Sequence, residues 1–326
     1  MSSVHCDDVV CAEDGRDRKR ARKKSSRAPS LPIQLEPLGQ TIRRQPVGHL
    51  RVITWNLDGL NDTYLAMRTH SCVSILRSAG ASVIFLQEVV PSSLRILQEE
   101  LQSAYDFIVP VENSPLKHFV AMLVQRGKLE RERGSWRPYL HSQMGRGLLH
   151  VTAHITDSGD IGPKLQLCTT HLESCHNSSH VRKVQLNTAL HLAAEEAAKE
   201  NADDAVIMAG DLNLRDHEAR TCLAAAQQAR RSYDDAWVQC GEEATTRWTW
   251  NPAINKNAVS TSASKPTCRF DRVYTRKLQA TKFELIGQDP LWNKAFLSDH
   301  WGVQVDWSWP GDPTRRDNAG TAPLLQ

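Results

Sequence analysis

Between Leu50 and Trp307 the apolar positions fall into short runs, and the spacing within each run predicts an element. Arg51-Val52-Ile53-Thr54-Trp55 is β-branched and apolar, as is Ser82-Val83-Ile84-Phe85-Leu86; both read as strands buried on two faces. Residues 64–79 set Leu65, Cys72, Val73 and Leu76 on one helical face, and Gly80 supplies a stop. Leu94, Leu97 and Leu101 mark a second helix, and residues 181–200, rich in Leu, Ala, Glu and Lys, a third. Segments 119–124, 148–155, 164–170, 206–209, 269–274 and 302–307 read as further strands. Helices alternate with strands early, whereas strands follow one another in the middle of the chain. This order predicts an α/β fold, a four-layer sandwich of two stacked mixed β-sheets flanked by helices, rather than one doubly wound sheet.

No linker composition interrupts residues 48–309, which predicts a single catalytic domain. Residues 1–47 are polar and rich in Ser, Pro and Arg, without apolar periodicity, and predict a disordered basic tail; residues 310–326 predict a disordered C-terminal tail. Residues 253–267, rich in Ala, Ser, Asn and Lys, predict a long surface loop. Charge sharpens this division. The first fifty residues carry ten Lys/Arg and six Asp/Glu, leaving 30 and 31 for the rest. The positive balance therefore sits in the tail, and a neutral body is not that of a long, sequence-independent duplex binder. Within the tail, residues 16–24 read as a nuclear address or a basic arm, against the plainer reading of a solvated charge run. No apolar run has bilayer-spanning length, and residues 1–30 lack the apolar core of a signal peptide. The eight cysteines form no C-x-x-C pair, so free thiols are expected, and Cys175-His176 with His180 fits no standard zinc spacing.

The chemistry lies where strands stop. Trp55 leads into Asn56-Leu57-Asp58-Gly59, Leu86 into Gln87-Glu88, and Thr170 into His171-Leu172-Glu173-Ser174. Ala209-Gly210 leads into Asp211-Leu212-Asn213-Leu214-Arg215-Asp216, Phe270 into Asp271, and Ser298-Asp299-His300-Trp301-Gly302 precedes a strand. Singly, each is an ordinary turn or strand edge. Together they converge on one rim of the sandwich and gather carboxylates, amides, two histidines and an arginine. That inventory suits phosphoryl-ester hydrolysis: carboxylates hold a hard cation, donors absorb phosphate charge, and one carboxylate handles the attacking water.

The ordered set of Trp-Asn, Gln-Glu, Gly-Asp-x-Asn and Ser-Asp-His resembles the endonuclease/exonuclease/phosphatase superfamily. His-Leu-Glu-Ser, Asn-Leu-Arg-Asp, Thr249-Trp250, Arg269-Phe270-Asp271-Arg272 and Asp-His-Trp-Gly resemble its 5′-tyrosyl-DNA phosphodiesterase branch, from about Val52 to Trp307. The resemblance implies Mg²⁺, with Mn²⁺ as a substitute, held by Glu88 directly, with Asp58 and Asp299 close by. It implies Asp211 and Asn213 for the water, Asn56 for phosphate and metal, and His171 and His300 flanking the phosphate with Asp271 orienting His300. Ser174, Arg215, Trp250, Phe270 and His118 would line the substrate channel. The implied substrate is a DNA 5′ end carrying tyrosine or a peptide, with RNA ends, abasic endonuclease or RNA-processing activity as alternatives. A nuclear monomer is expected, with no membrane partner. His118-Phe119, Leu212 and Asn251-Pro252 stand where the branch has Tyr-Phe, Thr and Asp-Thr, which touches substrate preference. The tail of 47 residues is also too short and polar for the ubiquitin-binding domain many members carry.

Overall fold

The computed structural model describes residues 42, 45–110, 117–156, 164–200, 204–260, 265–291 and 294–308. Residues 310–326, the basic run at 16–24 and residues 261–264 of the predicted loop lie outside this set, as does the predicted 1–47 tail except for 42 and 45–47, where Gln45 is buried and donates Nε2 to the Ala79 carbonyl at 2.8 Å. The strands in chain order are β1 (His49–Asn56), β2 (Val83–Val89), β3 (Tyr105–Ile108), β4 (Phe119–Gln125), β5 (Leu129–Pro138) and β6 (Gly147–Ile155). They continue with β7 (Lys164–His171), β8 (Ala205–Asp211), β9 (Asp234–Asp235), β10 (Asp271–Arg276), β11 (Ala280–Ile286) and β12 (Gly302–Ser308). The helices are α1 (Leu65–Ala79), α2 (Pro91–Leu101), α3 (Ser179–Glu200), α4 (Asp216–Gln228) and α5 (Ala236–Gln239).

Two mixed six-stranded sheets form, ordered β11-β12-β1-β2-β4-β3 and β5-β6-β7-β8-β10-β9. The parallel pairs are β1 with β2 and β7 with β8, and each joins its partner through a helix on the outer face. The period-2 alternation of each central strand explains the four layers. Leu50 and Val52 of β1, with Ile207 and Ala209 of β8, fill the core between the sheets. Ile53 and Trp55 point the other way, onto Cys72, Val73 and Leu76 of α1 and Leu97 of α2. Val206 and Met208 likewise meet Leu186, Leu190 and Ala193 of α3 and Cys222 of α4. A strand covered on both faces reads as a continuous apolar run, as β1, β2 and β8 do. Gly80 closes α1 at φ 57, its N–H bonded to the Leu76 carbonyl.

Two buried polar devices lock the layers near one rim. Gln87 Nε2 donates across the sandwich to Thr169 Oγ1 at 3.2 Å and to Thr54 Oγ1 at 3.1 Å. On the outer face, Arg182 of α3 grips Glu218 of α4 through Nη2 at 2.7 Å and Nε at 3.0 Å. Glu218 also accepts the Arg215 N–H at 2.8 Å, so this pair fixes the loop that follows β8.

Cysteine chemistry departs from the sequence expectation. Cys72, Cys168, Cys222 and Cys240 are free thiols, but Cys175 and Cys268 are disulfide-bonded. A disulfide needs Cα atoms within about 7 Å, a condition set by the fold and invisible in linear spacing. No helix among the described residues is long and apolar enough to cross a membrane.

Candidate active site

The strand ends converge as the sequence predicts. Asn56 ends β1 and faces Gln87 in register; His171 ends β7 opposite Asp211, the end of β8; Asp271 opens β10 opposite Asp211. Trp250 makes isolated bridges to Cys268 and to His300, which brings the segment before β12 to the same rim. Ser298 secures it: its Oγ donates to the Asn56 carbonyl at 2.6 Å and accepts the His300 N–H at 3.0 Å.

Asp211 is the hub. Its Oδ2 accepts Asn56 Nδ2 at 3.0 Å and lies 3.2 Å from His171 Nε2 and 3.7 Å from His300 Nε2, while Oδ1 accepts the Asn213 N–H at 3.0 Å. Burial alone would raise this carboxyl. Neighbouring positive charge and hydrogen bonds outweigh it and hold Asp211 well below the usual carboxylate range. The two histidines contribute differently. Arg146 Nη1 sits 2.8 Å from His171 Nδ1. A guanidinium only donates, so Nδ1 must accept and the His171 proton resides on Nε2, facing Asp211. Burial and the Arg146 charge push His171 down to about 4, so it is neutral near pH 7. The positive charge beside Asp211 is therefore His300. Burial pulls His300 down, but Asp271, Asp211 and Asp299 prevail and hold it well above 6.5, an imidazolium with Nδ1 2.7 Å from Asp271 Oδ2. Asp271 itself is seated by Thr249 Oγ1, which accepts its N–H at 3.1 Å.

Glu88, Asp58 and Asp299 form an acidic cluster beside this hub. Burial raises Glu88 to about 7, Asp58 adding to it; burial raises Asp58 to about 7, Asp299 adding. Asp299, pushed to about 6, is raised by burial and then by Glu88, Asp211 and Asp271, against His300. Asn56 Nδ2 reaches Glu88 Oε1 at 3.3 Å and so joins cluster to hub. Asn61 donates to Asp58 Oδ2 at 3.0 Å, and the buried Arg68 lies 3.6 Å from it. The backbone is strained here: Asp58, Glu88 and Asn213 have φ of 49, 51 and 51, in the left-handed region. Gly59 permits the approach, since a Cβ there would lie 2.0 Å from the Glu88 carbonyl oxygen. Separately, Asp211, Asp271 and His300 each bring one ligand atom within 4.8 Å of the others, a group that could hold a metal ion.

The expected channel residues divide. His118 stands over His171, ring centroids 6.5 Å apart, at a crevice shared with Trp136, Met144 and Arg146. Ser174 donates to the Met144 sulfur at 3.2 Å. Phe270 lies between Trp250 (5.8 Å) and His300 (6.0 Å), with the Arg215 guanidinium 5.4 Å from its centroid. Trp250 and Phe270 are only 4% and 3% exposed. A base can stack only on a face that solvent reaches, so in this structure the two rings buttress His300 and Arg215. Sequence reasoning missed Arg146, Thr249 and Ser298. Ser298 stood inside a quoted motif without a role; Arg146, between two glycines in a hairpin, carries no periodic signal.

A model of the endonuclease/exonuclease/phosphatase family matches residues 53–300. Tyrosyl-DNA phosphodiesterase 2 of Danio rerio is 34% identical over 261 residues, covering 78% of this chain and 65% of that protein. The Caenorhabditis briggsae 5′-tyrosyl-DNA phosphodiesterase is 31% identical over 261 residues, 79% of this chain and 69% of that one. The chain thus spans about two thirds of the length of these curated relatives. A crystal structure of D. rerio TDP2 complexed with single strand DNA product superposes with a TM-score of 0.69 at 30% identity, covering 80% of this chain and 99% of that one.

Proposed function

We propose, from the premise that this chain belongs to the endonuclease/exonuclease/phosphatase family, that it is a Mg²⁺-dependent phosphodiesterase. It hydrolyses the 5′-phosphotyrosyl bond between DNA and a trapped topoisomerase-type protein adduct and leaves a 5′-phosphate for repair. The observation that carries the reading is Asp211, ionised and held between a neutral His171, a cationic His300 and Asn56.

Two donor sets compete for a metal. In the Asp211–Asp271–His300 group the imidazole Nδ1 is committed to Asp271 Oδ2 at 2.7 Å, so only Nε2 is left to bind, and only on losing its proton. Glu88, Asp58 and Asp299 offer hard oxygen donors, raised by burial and then by one another, with Arg68, Arg146 and His300 offsetting only part. That set fits Mg²⁺, with Mn²⁺ as substitute. A bound ion would neutralise phosphate charge and stabilise the charge that builds during transfer.

The remaining work belongs to side chains. Asp211, with its depressed pKa, is a weak base, suited to orienting the attacking water while Asn213 fixes its carboxylate from the backbone. His300 donates Nε2–H toward a phosphate oxygen and Asp271 keeps that ring aimed. Arg146 supplies a second buried cation on the His171 side. Tyrosine leaves as a phenolate of pKa about 10, which needs less protonation than a sugar alkoxide, so a strong general acid is optional. Residues 16–24, a basic run, support nuclear action.

The test is cleavage of a 5′-phosphotyrosyl oligonucleotide with Mg²⁺ and with EDTA, beside abasic duplex, 3′-phosphotyrosyl and plain single-strand controls. Mg²⁺-dependent release from the 5′ adduct alone is expected. Cleavage of the abasic or plain strand instead would replace the substrate assignment with a general nuclease.

A further inference from the structure

Glu173 has no part in the chemistry above, yet the residue is 2% exposed. Among the described residues no cationic nitrogen lies within 4.0 Å of it. It is held by hydrogen bonds alone. Oε1 accepts the backbone N–H of Gln143 at 2.8 Å and of Met144 at 3.1 Å. Oε2 accepts Ser142 Oγ and Gln185 Nε2, both at 2.9 Å. Gln185 also accepts the Glu173 N–H at 2.9 Å, so α3 grips both ends of this residue.

The three loop donors belong to one turn, the connection from β5 to β6. That turn is closed by Tyr139 N–H on the Arg146 carbonyl at 2.9 Å and by Arg146 N–H on Ser142 Oγ at 2.8 Å. What it delivers is Arg146 to His171 Nδ1 at 2.8 Å and the Met144 sulfur to Ser174. A buried carboxylate costs several kcal/mol unless fully bonded, and four donors compensate here. Two of them are successive backbone N–H groups that would otherwise be orphaned.

We infer that Glu173 is a positioning residue: it clamps the 139–146 turn so that Arg146 fixes the His171 tautomer that faces Asp211. The chain of contacts is Glu173, turn, Arg146, His171, Asp211. Glu173→Gln breaks it in a defined way. The new amide N–H₂ would face the Gln185 Nε2 donor, and Gln185 cannot flip without turning its own N–H₂ onto the Glu173 N–H. Ser142→Ala is the gentler variant, removing one tether and the acceptor for Arg146 N–H without disturbing the buried charge.

The kinetic arm of the test rests on the phosphodiesterase reading; the spectroscopic arm does not. In ¹⁵N-edited NMR, His171 should be the Nε2–H form in the wild type and a tautomer mixture in Glu173→Gln and, to a lesser degree, Ser142→Ala. On the phosphotyrosyl substrate, kcat should fall roughly ten- to a hundredfold for Glu173→Gln, with KM little changed. In an Arg146→Met background the same substitution should change kcat by less than about twofold, because the residue it acts through is gone. An unchanged tautomer in both variants would overturn the inference, and so would an equal loss of kcat with and without Arg146. A wild type that shows the Nε2–H form but no turnover would count against the substrate assignment alone.

Discussion

Glu88→Gln should make the metal-free protein more stable at pH 8. The carboxyl is moved from its ordinary 4.5 up to about 7 by burial and by Asp58, with Arg146, Asn56 and His300 offsetting only part. A folded pKa raised above the unfolded value costs nothing below about pH 4.5. The cost grows as the group is forced to ionise and is complete above pH 7. At about 1.4 kcal/mol per tenfold in affinity, the full penalty is about 3 kcal/mol. For a folded body of this size that corresponds to a rise in Tm of about 5 °C. Glutamine keeps an Oε1 to accept from Asn56 Nδ2, so little else is lost. The assay is thermal unfolding of both proteins in EDTA from pH 4.5 to 8.5, repeated with Mg²⁺. The gap should be near zero at pH 4.5 and widest at pH 8, and Mg²⁺ should close or invert it by stabilising the wild type alone. A variant no more stable than wild type at pH 8 in EDTA would refute the argument that this cluster is electrostatically strained. A Mg²⁺ response equal in both proteins would refute Glu88 as a ligand.

Asp211→Asn should abolish most turnover and also lower stability, since it removes the anion paired with His300, while the folded state persists; near-normal kcat would remove its water-orienting role. Trp250→Ala separates the two readings of the aromatic wall. Loss confined to oligonucleotide substrates, of about 1–3 kcal/mol, indicates base stacking, whereas equal loss on a minimal phenyl phosphodiester indicates the buttress of His300 that its burial favours. Arg182→Met should destabilise the fold by about 3–5 kcal/mol in chemical denaturation, because it strands the buried Glu218; a change below about 1 kcal/mol would show that the pair is dispensable.

The parts of this architecture that were legible in the chain share a physical cause. Strands β1, β2 and β8 are covered on both faces and so announce themselves as apolar runs, and the polar residues that end them could be placed on one rim from connectivity alone. Strand β5 reads Leu-Glu-Arg-Glu-Arg-Gly-Ser-Trp-Arg-Pro; it is an edge strand whose pattern is mostly exposed, so it leaves no apolar signature. Helix α4 buries Glu218, Ala219 and Cys222, too few apolar residues to give a helical period. Arg146 and the bonded Cys175 and Cys268 were hidden because what matters about them is a neighbour far away in sequence. The exposure of Trp250 and Phe270 was likewise beyond reach, since motif membership says nothing about which face of a ring is covered.

Strand β12, the last among the described residues, lies inside the first sheet, between β11 and β1, and His300 stands just before it. Strand β1 therefore keeps an unpaired edge on one side until residues 302–308 reach it. Pairing across so long a separation is slow to form. A chain interrupted anywhere between Asp211 and His300 would hold Asn56, Glu88 and Asp211 but lack the imidazolium that completes them. Truncation between β11 and β12 thus removes a strand from inside the sheet and the cation beside Asp211 together, so completion of the fold and completion of the site are one event.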